Sequence, residues 1–210
     1  MALLALLNDV ESELDEAGLV TGDSAVGATK HGLEQSLVIA KNIHKHMGRI
    51  DIMAASPAER LAKLVHNIRV KSNSSYLAAI KVKYLDSLKE RSFGVLNGSK
   101  VNIDSDLFNH TRICAEGGES VAQVRRRAMH ILESLCDGNK RVLVVSHPFV
   151  CQIACNTMLG VNQVSLVKFW FRKGALALFE RKDGWKFRKA YDLLNDQELT
   201  FQDMYTELAG

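Results

Sequence analysis

The sequence predicts an α/β fold with a mainly parallel sheet covered by helices on both faces. Two observations carry that reading. The first is the stretch Arg141 to Gly160, RVLVVSHPFVCQIACNTMLG. Val142-Leu143-Val144-Val145 is short, apolar throughout and β-branched, the mark of a strand buried on both faces. Ser146-His147-Pro148 follows, and then Val150, Ile153, Ala154, Met158 and Leu159 recur at helical spacing. A buried strand hands over to a helix, with a histidine at the turn. The second observation is that strand-like and helix-like stretches alternate along the chain, which is how a parallel sheet is built.

In order, residues 2–7 read as the first strand. Asn8 to Ala28 is polar and holds Gly18, Gly22 and Gly27, so it is mostly loop. Thr29 to Met47 reads as a helix with Thr29 as N-cap and Leu33, Leu37, Ala40 and Ile43 on its apolar face. Ile50 to Ala55 is a second strand. The next helix runs from Ala58 to Ile68, with Pro57 at its first position and Leu61, Leu64, Val65 and Ile68 inward. Ala78 to Tyr84 alternates weakly, as a third strand, and Leu85 to Ile113 is irregular. Glu119 to Cys136 reads as a helix with Val121, Val124, Ala128, Ile131, Leu132 and Leu135 inward. After the opening stretch, Val167 to Phe171, Ala175 to Phe179 and Trp185 to Lys189 read as shorter strands, with Asp183-Gly184 as a turn.

The 210 residues suffice for one domain, 1–210, and no linker or repeat divides them. A net charge of +3 is too small to point to nucleic acid or a membrane surface. Cys114, Cys136, Cys151 and Cys155 form no CxxC pair and read as reduced thiols. The apolar start, MALLALL, is too short for a signal peptide, and no transmembrane segment is read, which points to a cytoplasmic protein. No cofactor is called for. His44 and His46, two apart, do not share a helix face and read as solvated. Arg125-Arg126-Arg127 reads as a solvated face, with docking of an acidic partner as the alternative.

Three strand ends present polar groups to one edge of the sheet. The first offers Asn8, Asp9, Glu11 and Ser12, the second leads to Arg60, and the fourth ends at Ser146-His147. Glu90, in the long loop, can fold over them. Ligands bind at the carboxyl ends of strands in such sheets, and anions favour helix N-termini, so this is a phosphate-sized polar site.

Several segments resemble the histidine phosphatases, the phosphoglycerate-mutase-like superfamily. Leu88 to Gly98, LKERSFGVLNG, is similar to their L-x-E-x-x-[FY]-G-x-x-x-G segment. Glu116 to Ser120 is similar to G-G-E-S before a helix, and Val144 to His147 to V-S-H-G. Ala55 to Arg60 is similar to S-S-P-x-x-R, and Leu194-Asn195-Asp196 to a closing L-N-D. The segments come in the family's order and span nearly the whole chain. The resemblance implies a three-layer α/β/α sandwich and a phosphatase pocket. Residue by residue, it makes Arg60 a clamp for the phosphoryl oxygens, His147 the second histidine and Glu90 the acid for the leaving group. Asn8, Ser12, Arg60 and His147 are then the phosphate-binding candidates.

The family's R-H-G motif is replaced by Asn8-Asp9-Val10. The placement is tight, because Glu11 to Gly22, ESELDEAGLVTG, runs without a gap against E-S-x-W-N-x-x-G-x-V-T-G. Lys30-His31-Gly32 mimics R-H-G, but no apolar strand precedes it. Asp9 therefore stands at the nucleophile position, and Asn8 at that of the first clamp arginine. Asn8 cannot replace a bidentate arginine, and two like charges a few ångströms apart repel by roughly 4 kcal/mol at an effective dielectric near 20. The expectation is a pseudoenzyme that has lost the catalytic histidine and acts by binding or as a subunit of an assembly. Its partner would be a phosphorylated small molecule or a protein. The alternatives are a phosphohydrolase using Asp9 or a metal held by Asp9, Glu90 and His147, and a phospho-ligand-binding regulator. Asp9 or Glu90 is expected to pair with Arg60 or His147 and close the site.

Overall fold

A computed structural model describes residues 1–100, 114–161 and 169–207. Strand β1 (Ala2–Leu7) is followed by a short helix α1 (Glu13–Glu16) and the long helix α2 (Lys30–Met47). Then come β2 (Ile52–Ala55), α3 (Glu59–Lys71), α4 (Ser75–Ala79) and β3 (Val82–Tyr84). Two single 3₁₀ turns, Asp86–Leu88 and Gly94–Leu96, lead on to α5 (Val121–Leu135), β4 (Arg141–Val145) and α6 (Pro148–Met158). The chain finishes with β5 (Phe169–Phe171), β6 (Ala175–Arg181), β7 (Trp185–Asp192), β8 (Gln197–Leu199) and β9 (Tyr205–Glu207). The seven-stranded sheet has the order β3-β2-β4-β1-β6-β7-β8, and β5 pairs with β9 apart from it.

The fold class is α/β, a three-layer sandwich. Alternate residues of the central strands face opposite layers. Leu4, Leu6, Val142 and Val144 meet Leu132 and Leu135 of α5 and Cys151, Ala154 and Cys155 of α6. Ala5, Leu7, Leu143 and Val145 meet Ile39 and Ile43 of α2 and Leu61, Leu64, Val65 and Ile68 of α3. Both faces are covered, so β1 and, after Arg141, β4 are apolar throughout rather than alternating. β3, β2, β4 and β1 run parallel, and β6, β7 and β8 add antiparallel neighbours on the other side of β1. The tight turn at 182–184 makes a hairpin of β6 and β7, which is what reverses the chain there.

Four expectations are corrected. On α2 the buried residues are Gly32, Ser36, Ile39, Ala40, Ile43 and Met47, whereas Leu33 and Leu37 are exposed. Close packing decides this: a Cβ on Gly32 would lie 2.2 Å from the Glu11 carbonyl oxygen, and Asn67 of α3 donates to Ser36 Oγ at 2.6 Å. Small residues must therefore face inward. Pro57 precedes the N-cap, Ala58, rather than opening the helix, because Ser56 Oγ accepts from Ala58 N at 3.3 Å and delays the first turn. Ala78 to Tyr84 divides into the end of α4 and a three-residue β3. Arg127 is not a solvated residue; it bonds Glu119 and the carbonyls of Ser87, Lys89 and Glu90, while Arg125 and Arg126 are exposed. Residues 101–113 of the irregular stretch and 167–168 of a proposed strand lie outside the described residues. Among the described residues no helix is long and apolar enough to cross a membrane.

The α2 register yields a test. Ile43→Ala is expected to cost about 2–5 kcal/mol in urea unfolding, and Leu37→Ala at most about 0.5 kcal/mol. Equal losses would mean that the inward face is misassigned.

Candidate functional site

Sheet register assembles the site. Leu7 of β1 lies opposite Val145 of β4, and Ala55 of β2 is also paired with Val145. The residues just past these ends are therefore neighbours: Asn8 and Asp9, Ser56, and Ser146 and His147. Arg60 reaches the same point from the first turn of α3. Asp9, Arg60 and His147 are all buried. Arg60 Nε donates to Asp9 Oδ2 at 3.1 Å, so the expected closing pair is present.

The proton on His147 follows from its partners. Arg60 Nη2 lies 2.7 Å from His147 Nδ1, and Asp9 Oδ2 lies 3.5 Å from the same nitrogen. A guanidinium can only donate, so Nδ1 accepts and the proton sits on Nε2, which donates to Ser56 Oγ at 2.8 Å. The ring is neutral. Burial pushes His147 down to about 4, with Asp9 acting against it and Arg60 with it. Burial by itself raises the Asp9 carboxyl. Lys173 foremost, with Arg60, outweighs burial and holds Asp9 well below the usual carboxylate range.

Lys173 is the residue that sequence reasoning missed. It follows β5 in the chain, far from every segment that carried the resemblance. Its Nζ donates to Asp9 Oδ1 at 2.8 Å and to Asp15 Oδ2 at 2.7 Å. Burial acts to lower it, but the Asp9 and Asp15 carboxylates raise it on balance. Two cations, Arg60 and Lys173, thus face two carboxylates, Asp9 and Asp15, around a neutral histidine.

Three predicted residues are occupied elsewhere. Asn8 donates both amide hydrogens, to the Phe171 and Arg172 carbonyls at 2.6 and 2.9 Å, and accepts from Asp9 N. It holds the segment that delivers Lys173. Ser12 Oγ caps α1 by accepting from Asp15 N, in a reciprocal capping box. Glu90 does not pair with Arg60. Its two oxygens accept from Arg91 N at 2.8 Å and from Phe149 N at 3.2 Å. The second of these is an orphan donor of the first turn of α6, whose N-cap His147 makes no capping bond. Glu90 thus serves as a cap brought in from a distant loop, and its oxygens are not grouped with Asp9 and His147 as a ligand set. Among the described residues no three His, Cys, Asp or Glu side chains are arranged to hold a metal ion.

Beside this knot lies a cavity of about 350 Å³, lined among others by Arg60, Glu90 and His147, with the loop residues Gly22 to Ala25 and Asp86. Its carboxylates, Asp23, Glu59, Asp86 and Glu90, outnumber its cations.

Glu90 and His147 titrate in opposite senses. Burial raises Glu90 from its ordinary 4.5 to about 7. Its contribution to stability is complete below the ordinary value and is lost as pH rises through about 7. His147 is lowered, so its contribution is present above the ordinary 6.5 and is lost as pH falls through about 4. Glu90→Gln is expected to gain on the wild type as pH rises from about 5 to about 8, read as urea midpoints. A constant difference between the two proteins across that range would contradict the assignment.

The family model for the histidine phosphatase superfamily (branch 1) matches residues 11–193. The match begins just after Asn8-Asp9-Val10. No curated protein matches at the sequence level. Among solved structures, phosphoserine phosphatase from Entamoeba histolytica in complex with 3-phosphoglyceric acid is similar at TM-score 0.75 and 20% identity, over 97% of this chain and 100% of that one. A mutant of that enzyme with phosphoserine gives TM-score 0.75 and 22% identity, over 89% and 95% of the two chains. A putative α-ribazole-5'-P phosphatase from Escherichia coli gives 0.71 and 17%, over 89% and 94%. These likenesses are of fold. The sequence match across most of the chain, with the sandwich and the strand-end site it organises, means that the protein belongs to the histidine phosphatase superfamily, branch 1.

Proposed function

We propose that this chain is a non-catalytic member of its family, acting by binding or as a subunit of an assembly. One observation carries the reading. The carboxylate of Asp9 stands at the end of β1, buried, with Arg60 and Lys173 bonded to its two oxygens. A phosphoryl dianion brought there meets a like charge and finds both cations already engaged. That repulsion is roughly 4 kcal/mol for each unit of the ligand's charge at an effective dielectric of 20. Phosphoryl transfer relies on positioning and charge complementarity, and both are turned against the substrate here. The carboxylate is also a poor nucleophile while each oxygen is held by a cation. The room for a small molecule or a protein side chain is the neighbouring cavity, not the strand end.

A working phosphohydrolase is the second reading. The cavity favours it, because it brings solvent and a small substrate to Arg60, Glu90 and His147. The two readings separate in an assay with p-nitrophenyl phosphate at neutral pH. No turnover above background is expected in EDTA. Turnover that disappears in His147→Ala would reverse the proposal, and turnover only with added divalent metal would favour altered chemistry.

Asp9→His alone is also expected to leave the protein inactive. Asn8 still supplies no positive charge, and its amide remains committed to the Phe171 and Arg172 carbonyls. Robust hydrolysis by the single variant, at a rate the triple variant Asn8→Arg, Asp9→His, Val10→Gly does not exceed, would show that the pocket needs only the nucleophile.

A further inference from the structure

The Asp9 side chain is surrounded as a bound anion would be. Lys173 Nζ donates to Oδ1 at 2.8 Å, and Arg60 Nε donates to Oδ2 at 3.1 Å. Arg60 is held in turn by its 2.7 Å contact with His147, and His147 by Ser56. Lys173 is held by Asp15 and reaches the Val10 carbonyl at 3.4 Å. The two cations are therefore positioned by partners other than Asp9. The strand end is fixed independently as well: Asn8 N donates to the Ala175 carbonyl, and Gly174 N to that of Asp9.

We propose that Arg60 and Lys173, with His147 beside them, form a latent oxyanion site that Asp9 occupies as its resident ligand, and that a small free carboxylate takes the site when that side chain is removed. Lys173 is the part of this site outside the segments that carried the family resemblance. It brings a positive charge to the strand end where the arginine expected at position 8 is missing. The charge count supports the proposal. With Asp9 ionised, Arg60 and Lys173 balance Asp9 and Asp15, and His147 is neutral. Without Asp9 the group has one excess positive charge in a buried place, which favours capture of an anion. Formate is the probe, because it has the shape and charge of the carboxylate that Asp9→Ala deletes.

The inference rests on the closed-site reading, and the experiment separates the two. Thermal unfolding of full-length wild type, Asp9→Ala and Asp9→Ala/Lys173→Met is followed in rising formate, with chloride at equal ionic strength as control. Asp9→Ala is expected to lose roughly 10 °C in Tm, and formate to restore about half of that with saturation. Wild type and the double variant should respond to formate no more than to chloride. An Asp9→Ala response that equals the wild-type response, or one that persists without Lys173, overturns the latent site. If Asp9→Ala folds in formate but not in chloride, the proposal is supported. If it folds in neither salt, the isosteric Asp9→Asn decides. Asp9→Asn/Lys173→Met should then melt higher than Asp9→Asn, because the excess positive charge leaves with the lysine; an equal or lower Tm overturns the proposal. Wild-type phosphatase turnover would defeat the closed-site reading, whereas absence of rescue in an inactive protein defeats only the latent site.

Discussion

A buried carboxylate cannot stay charged without partners, and the site around Asp9 is arranged to meet that constraint. Asp9 has negligible exposure, so its charge must be matched inside the protein. Arg60 comes from the start of α3 and Lys173 from the segment between β5 and β6, and each takes one oxygen. The carboxylate offsets the cost of placing a buried Arg60 and a half-buried Lys173 beside each other. Breaking such a set by removing one member typically costs about 3–5 kcal/mol, because the remaining charge is stranded. The pairing thus ties the start of α3 to the end of β1 and to the turn that leads into β6.

Backbone geometry supports the same closure. Gly174 has φ of +68°, and a Cβ there would come within 2.8 Å of Leu194 Cγ. Glycine lets the chain turn sharply beside Lys173, while Gly174 N donates to the Asp9 carbonyl at 3.2 Å. On the other side, Arg127 gathers the Ser87, Lys89 and Glu90 carbonyls, and Ser146 Oγ donates to the Leu88 carbonyl. The loop bearing Glu90 is held over the site by these bonds. Glu90 is then free of any pairing duty towards Arg60 and caps α6 instead.

The two helix layers are held by contacts other than the charged strand end. The two apolar clusters on either side of the sheet contain none of the charged site residues. A change at Asn8 or Asp9 alters the buried polar site without touching either apolar cluster. Val10 itself is buried with the α2 and α3 cluster, so one position of Asn8-Asp9-Val10 has joined the core. Glycine at that position would open the backbone to a ligand, whereas valine packs inward.

The sequence by itself determined the layers and the strand ends. Continuous apolar runs at 2–7 and 142–145 are short enough to read as strands buried on both faces, and parallel register then carries Asp9 and His147 to one edge. Arg60 was legible too, since a helix that starts just after a strand must place its first turn at that edge. Tertiary structure alone decided the rest. Lys173 lies 164 residues from Asp9 along the chain, and only the antiparallel pairing of β6 with β1 brings it there. Glu90 and Asn8 chose backbone partners over the charges beside them, because buried amide and carbonyl groups have no water to turn to. The inward face of α2 went to glycine and serine rather than leucine for a similar reason: the distance between α2, α3 and the end of β1 was set by the packing of all three. Local pattern records which residues can be buried. It does not record how closely a distant segment will approach, and that distance is what settles the partners of each buried polar group.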